Sequence, residues 1–197
     1  MDVAGTVGLG IVVFASTNID DIVVLMLFLA DRAFRPAQVV LGQYLGIAVL
    51  VAVSVLGATL ALAIPDTSIG LLGIVPILLG MYKLWGLRAD TNLVESDGRA
   101  HAVAGNARVL AVAAVTVANG GDNIGIYVPL FASIGAERIG VMVVVFALMV
   151  AVWCGVAFWL VHHSAAGPRI QRYGHIVVPF VLIALGLYIL LSHTVIV

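Results

Sequence analysis

Two short polar passages interrupt the long apolar runs of this sequence: Ser16-Thr17-Asn18-Ile19-Asp20-Asp21 and Thr116-Val117-Ala118-Asn119-Gly120-Gly121-Asp122-Asn123. They are the only places where carboxylates fall deep within a long apolar segment. Both passages contain the pattern Asn-x-x-Asp. We interpret the rest of the chain, which is mainly apolar, as the structural support that holds them in place. We interpret the passages as two halves of one cation site near the middle of a membrane.

The composition excludes a soluble globular domain. The chain has 197 residues, of which 63% are hydrophobic and 10% are charged, and its mean hydropathy is +1.21. Soluble domains usually carry about 25% charged residues. The formal net charge of -1 argues against a nucleic-acid partner, which requires a basic face. The single cysteine, Cys154, excludes an intrachain disulfide and a Cys-x-x-Cys pair.

Six apolar segments approach or exceed the roughly 20 residues that cross a lipid bilayer. We predict an all-α membrane protein with six transmembrane helices, at residues 3–30, 39–64, 69–87, 109–134, 139–161 and 176–191. The first segment is longer than one span requires, which indicates tilt or a local break at its polar centre. A long polar loop, residues 88–108, joins the third helix to the fourth.

The basic residues predict the orientation of these helices, because cytoplasmic loops carry an excess of Lys and Arg. With six helices, every basic residue except Arg138 falls on one side of the membrane. That side holds Arg32, Arg35, Lys83, Arg88, Arg99, Arg108, Arg169 and Arg172. We therefore predict that the 88–108 loop is cytoplasmic and that both termini lie outside.

The sequence also divides into two similar halves. The pattern Asn-x-x-Asp occurs once in each half, and Leu79-Gly80-Met81-Tyr82 resembles Leu185-Gly186-Leu187-Tyr188. We predict one three-helix repeat over residues 1–87 and a second over residues 109–197. An odd number of spans per repeat gives the two repeats opposite orientations. This inverted arrangement is typical of secondary transporters, whose substrate site lies at the repeat interface.

Carboxylates within a membrane must face the protein interior, bind cations or take up protons, because a charge there costs about 2.5–3.5 kcal/mol even on a lenient scale. Carboxylate, amide and backbone carbonyl oxygens are the hard ligands that Mn²⁺ and Mg²⁺ prefer. The paired glycines Gly120-Gly121 weaken the helix, so that carbonyls can turn towards a cation. The predicted metal ligands are Asn18, Asp20, Asp21, Asn119, Asp122 and Asn123.

Helical spacing predicts how these ligands are arranged, because residues three and four apart share a helix face. We expect one such face in the first helix and one in the fourth. They consist of Thr17, Asn18 and Asp21, and of Asn119, Asp122 and Asn123. In a regular helix Asp20 would point about 100° away from Asp21.

Other polar and small residues are predicted to serve packing. We expect Gln43 and Tyr44 to pack near the cytoplasmic mouth. The pairs in Gly42-x-x-x-Gly46 and Gly121-x-x-x-Gly125 have the spacing of close helix contacts in membranes.

The polar passages and their surroundings resemble the cadmium-resistance transporter family, within the lysine-exporter superfamily. The stretches that carry the resemblance are Thr17-Asn18-Ile19-Asp20-Asp21, Gly42-Gln43-Tyr44-Leu45-Gly46, Leu71-Leu72-Gly73-Ile74-Val75-Pro76-Ile77-Leu78-Leu79-Gly80 and Asn119-Gly120-Gly121-Asp122-Asn123-Ile124-Gly125-Ile126-Tyr127-Val128-Pro129-Leu130-Phe131. They are spread over nearly all predicted helices, so the resemblance extends over essentially the whole chain.

The resemblance implies a six-span exporter of divalent metal ions in the bacterial inner membrane, driven by the proton gradient. It implies no cofactor besides the transported cation, and it leaves a homo-oligomer open. Members associated with cadmium carry a cysteine beside the second motif, whereas this chain has Ala118-Asn119-Gly120-Gly121 there. Because Cd²⁺ favours thiolate ligands, an oxygen site without sulfur favours Mn²⁺.

Two other functions compete with metal export. An exporter of amino acids or other small organic solutes would need a group for the substrate carboxylate, and no Lys or Arg lies at the depth of the two passages. An intramembrane aspartyl protease would use Asp21 and Asp122 as an acid/base pair. Such proteases resemble one another in a Gly-x-Gly-Asp and a Tyr-Asp motif, and neither occurs here. We therefore predict a transporter and not an enzyme.

Overall fold

The computed structural model describes residues 2–61, 74–86, 105–162, 180 and 183–191, and the regular structure in these ranges is helical. Residues 183–191 form a short helical stretch. The helices before it are α1 (Val3–Thr17), α2 (Asp21–Ala30), α3 (Pro36–Ala61), α4 (Ile74–Gly86), α5 (Gly105–Asn119), α6 (Gly121–Ala132) and α7 (Ala136–His162). The prediction of an all-helical chain is confirmed for these ranges.

Both polar passages break the helix that contains them. Helices α1 and α2 meet at 64°, with residues 18–20 between them, and α5 and α6 meet at 67° around Gly120. The local break predicted for the first segment is therefore present. The expectation of one continuous helical face in each passage is wrong, because Asn18 and Gly120 have left the helical conformation.

The described ranges contain two helices, α3 and α7, that are long and apolar enough to cross a membrane, and up to four spans if each bent pair is one. Both helices expose many large apolar side chains, which fits contact with lipid. The predicted spans 69–87 and 176–191 lie only partly within the described ranges. The six-span inverted repeat is therefore still a prediction.

The helices pack in a reciprocal pattern. Helix α3 contacts α5 and α6 most extensively, while α7 contacts α1 and α2. Each bent pair thus packs against the long straight helix that follows the other pair in the chain. Between them lies an aromatic cluster, in which the ring centroids of Phe14 and Tyr127 lie 5.4 Å and 4.9 Å from that of Phe146. This packing brings the two breaks together in the protein interior.

Two glycines allow α3 to approach α5 closely. A Cβ atom on Gly42 would lie 2.5 Å from Val112 Cβ, and one on Gly46 would lie 2.5 Å from Thr116 Cβ. The close-packing prediction is therefore confirmed for this pair. It is wrong for Gly121, where an added Cβ would meet nothing within 4 Å, because this residue lies at the break and faces away from its neighbours.

The Gly46→Ala variant is expected to lose stability, although alanine is the better helix former by about 1 kcal/mol. The added methyl group collides with Thr116 and pushes α3 away from α5. The matched control is Gly155→Ala on α7, which has open space and should be neutral or stabilising. Thermal unfolding of the detergent-purified variants measures both effects. A Gly46→Ala variant as stable as Gly155→Ala would contradict the close contact.

Candidate metal site

The two breaks contact each other through the amides of Asn18 and Asn123. Asn123 Nδ2 donates a hydrogen bond of 3.1 Å to Asn18 Oδ1, and both side chains are buried. Asn18 lies directly after α1, whereas Asn123 lies in the first turn of α6. Residues from opposite halves of the sequence thus form one polar group in the core.

The orientation of Asn18 is fixed by its neighbours. Its Nδ2 donates to the carbonyl oxygen of Phe14 at 2.9 Å and to Tyr127 Oη at 3.0 Å. Its backbone carbonyl accepts a 2.6 Å hydrogen bond from Trp153 Nε1. Because the amide nitrogen faces these acceptors, the Asn18 Oδ1 atom must face Asn123.

Three oxygen atoms converge beside Asn123. With Nδ2 directed at Asn18, the Asn123 Oδ1 position lies 3.0 Å from the carbonyl oxygen of Thr17 and 3.3 Å from Asp122 Oδ1. Turning the amide over would satisfy these two acceptors, but it would place the Asn123 oxygen 3.1 Å from Asn18 Oδ1. In either orientation an Asn123 oxygen faces an oxygen acceptor. We call the Thr17 O, Asp122 Oδ1 and Asn123 Oδ1 atoms the oxygen triad.

The two distances from Asn123 within the oxygen triad suit a bound cation. Adjacent ligands of an octahedral ion lie about 3 Å apart when each is about 2.1 Å from the metal. Thr17 is the last residue of α1, and the last four carbonyls of a helix lack intrahelical partners. Its carbonyl oxygen can therefore accept another partner, such as a cation. The break after α1 therefore leaves a backbone acceptor at the oxygen triad.

The second carboxylate, Asp21, is held between two amides. Asn119 Nδ2 donates to Asp21 Oδ1 at 2.6 Å, and Gln43 Nε2 donates to Asp21 Oδ2 at 2.9 Å. Asp21 is buried at the start of α2, and Asn119 is the last residue of α5. This contact also joins the two passages, because each supplies one member of the pair.

The structure corrects the expected role of Gln43. Its side chain is buried and donates to Asp21, so it belongs to the polar site and does not serve packing alone. Thr116 Oγ1 donates to Gln43 Oε1 at 2.7 Å, which directs the Gln43 nitrogen at the carboxylate. Tyr44, by contrast, donates to the carbonyl oxygen of Ala147 at 2.9 Å and has the expected packing role.

The structure places the six predicted ligands in different surroundings. Asn18, Asp122 and Asn123 lie together at the oxygen triad, and Asn119 contacts Asp21. Asp20 is half-buried at the N-terminal end of α2, and both Asp20 and Asp122 lie close enough to repel the Asp21 charge. No group of three or more His, Cys, Asp or Glu side chains suited to a metal occurs within the described ranges. A metal here must therefore use amide and backbone oxygens as well as carboxylates.

Several contributing residues were not among the predicted ligands. They are Thr17 through its carbonyl, Gln43, Thr116, Tyr127 and Trp153. A polar residue in the middle of an apolar helix was a usable signal for Gln43 and Thr116. Nothing in the sequence indicates that Tyr127 and Trp153 donate or accept hydrogen bonds at Asn18.

The Tyr127→Phe variant is expected to raise the KM of the metal export that the family resemblance implies by roughly tenfold, the low end of the effect of an outer-shell partner. The hydroxyl lies 2.9 Å from Thr17 Oγ1 and holds Asn18, so its loss loosens the oxygen triad without removing a ligand. Tyr44→Phe is the matched control, since that hydroxyl contacts Ala147. Initial rates of export over a range of metal concentrations give the KM. Equal KM values in the two variants would contradict this role.

Comparisons with known proteins give one result. Curated proteins and solved structures gave no significant match. A family model described as "cadmium resistance transporter" matches residues 14–197, which include both polar passages and every helix named above except the first residues of α1. The chain therefore belongs to the cadmium-resistance transporter family.

Proposed function

We propose that this chain exports divalent metal cations, of the Mn²⁺ or Cd²⁺ kind, by binding them between its two polar passages. Membership of the family suggests metal ion export, and the family together with the apolar helices implies a membrane protein. The observation that carries the proposal is at Asn123, whose amide oxygen faces an oxygen acceptor in either orientation, at the oxygen triad in one and at Asn18 Oδ1 in the other. With Asn123 Nδ2 directed at Asn18, a cation at the oxygen triad would satisfy all three oxygens.

The charges around the site support a cation and not an anion. Asp20, Asp21 and Asp122 bring three carboxylates to the two breaks. No Lys or Arg occurs within α1, α2, α3 or α6. Two or three carboxylates offset a divalent charge, whereas an organic acid would find no basic partner on these helices.

The ligand atoms support a hard cation. The oxygen triad and the Asp21 pair consist of carboxylate, amide and carbonyl groups, which suit Mn²⁺ better than they suit the softer Cd²⁺. The family description names cadmium. Both ions are therefore tested as substrates.

The reciprocal packing supports transport by alternating access. Each bent pair packs against the long helix of the other half, as expected if two inverted three-helix repeats enclose one site. Rocking of the repeats would carry the cation from the cytoplasm to the outside, where protonation of the carboxylates would favour release. We further propose that protons are the coupling ion and that the chain lies in the bacterial inner membrane with both termini outside.

The test of export is metal retention in cells. Cells that produce the wild type, the double variant Asp21→Asn/Asp122→Asn or neither are loaded with Mn²⁺, Cd²⁺, Co²⁺, Zn²⁺ or Ca²⁺, and cell-associated metal is followed by elemental analysis. Selective loss of one metal with the wild type alone is the expected result. Equal retention of every metal in all three strains, together with efflux of a radiolabelled amino acid by the wild type, would overturn metal export and favour organic solutes.

A further inference from the structure

The hydrogen bonds around Asp21 form a chain that connects three helices and begins and ends on α5. Thr116 on α5 donates to Gln43 on α3, Gln43 donates to Asp21 on α2, and Asn119 on α5 donates back to Asp21. Both oxygens of the carboxylate thus accept an amide hydrogen. Each oxygen keeps a second lone pair for a cation, but a cation that binds both oxygens at once must compete with these donors.

The two donors differ in how firmly they are held. Gln43 is in the interior of a 26-residue helix, is 2% exposed, and is fixed at its oxygen by Thr116. Asn119 is only half-buried and ends α5 at the break, where the helix no longer constrains it. Asn119 is therefore the donor that a cation can replace, and Gln43 is the donor that stays.

We propose that Gln43 is a specificity-determining positioning residue, whose hydrogen bond to Asp21 Oδ2 favours one-oxygen binding of a cation through Asp21 Oδ1. This inference rests on the proposed metal site. It explains how the proposed site could discriminate between hard divalent ions of different size.

The choice follows from how carboxylates bind different ions. Ca²⁺ takes six to eight oxygens and accepts carboxylates through both oxygens, whereas Mg²⁺ requires six ligands in near-ideal octahedral geometry. Mn²⁺ also occupies octahedral oxygen sites. A carboxylate with one oxygen hydrogen-bonded to Gln43 is a weaker two-oxygen ligand for a large ion, whereas a small octahedral ion needs only the other oxygen. Gln43 thereby favours Mn²⁺ over Ca²⁺.

The test is Gln43→Met, which keeps the length of the side chain and removes its donor. Thr116 retains a partner in this variant, because its hydroxyl also lies 3.0 Å from the Val112 carbonyl oxygen. Mn²⁺ transport by the full chain in liposomes is measured with Ca²⁺ as a competitor. The ratio of the Ca²⁺ concentration that halves Mn²⁺ transport to the KM for Mn²⁺ should fall by roughly fivefold or more. This factor corresponds to the loss of one net hydrogen bond.

The control is Gln38→Met on the same helix, whose side chain accepts from the Arg35 backbone and should leave the ratio unchanged. Thr116→Val is the second variant, because it releases the Gln43 amide and should shift the ratio in the same direction by less. If Gln43→Met does not fold, Thr116→Val decides the matter. A purely structural role would change the transport rate and leave the Ca²⁺ to Mn²⁺ ratio as it was, and that result overturns the inference.

The same assay separates this inference from the proposed function. A wild type that moves no divalent metal refutes metal export itself. A wild type that moves Mn²⁺, with the same ion ratio in both variants, refutes only the role of Gln43. A wild type that prefers Ca²⁺ to Mn²⁺ also refutes the role of Gln43, because the selection by size would then run the other way.

Discussion

Asp122→Asn is expected to reduce metal export to the level of cells that lack the protein. Asp122 supplies the one charged member of the oxygen triad, and the Asn123 and Thr17 oxygens that remain are neutral. The substitution keeps the size of the side chain, so folding should be preserved. The affinity for Mn²⁺ should fall by more than about 100-fold, the upper end of the effect of an outer-shell change. Titration of the purified variant with Mn²⁺ measures this affinity.

A matched control for Asp122→Asn is Asp31→Asn. Asp31 is an exposed carboxylate in the connection between α2 and α3, where it accepts a hydrogen bond from the Ala33 backbone. This variant should bind and export metal as the wild type does. Wild-type Mn²⁺ affinity in Asp122→Asn would remove this residue from the site, whatever its effect on export.

Asp21→Asn is expected to abolish export as well, and to destabilise the fold. The carboxylate accepts from both Gln43 and Asn119, whereas an asparagine offers only one acceptor oxygen. One donor would then face an N–H group in the protein interior, which costs about 1–3 kcal/mol. Export assays and thermal unfolding of the purified protein measure the two effects separately.

The exchanged variant Asp21→Asn/Asn119→Asp distinguishes the stability effect from the transport effect. It preserves the number of carboxylates and restores an amide-to-carboxylate hydrogen bond between the two positions. Thermal stability should recover in part relative to Asp21→Asn alone. Normal export by Asp21→Asn would show that this carboxylate does not take part in transport, even if the variant were less stable.

The all-helical class and the contact between the two polar passages could be predicted from the sequence, because both depend on strong local signals. Carboxylates inside apolar segments have few physical explanations, and the two copies of Asn-x-x-Asp suggested a common site. The paired glycines Gly120-Gly121 also indicated where the fourth predicted helix would weaken, and the break occurs at Gly120. The family resemblance, confirmed by the match over residues 14–197, rests on the same passages.

The details of the site could not be predicted, because they depend on packing between distant segments. A regular helix was the basis for grouping Thr17, Asn18 and Asp21, and the break at residues 18–20 gives these residues different neighbours. Gln43 was interpreted as a packing residue because the spacing of Gly42 and Gly46 predicts a close helix contact but does not identify α5 as the partner helix. A backbone ligand such as the Thr17 carbonyl has no signature in side-chain types.

The central claim is that one cation binds between the two passages, and its position is the most direct measurement. Crystals of the full chain grown with Mn²⁺, and others with Cd²⁺, would be examined for anomalous scattering by the metal. The account predicts a peak within about 2.0–2.6 Å of the Thr17 carbonyl oxygen and of side-chain oxygens of Asp122 and Asn123, with Asp21 Oδ1 as a further ligand. A peak away from these atoms, or none in protein that exports the same metal, would contradict it.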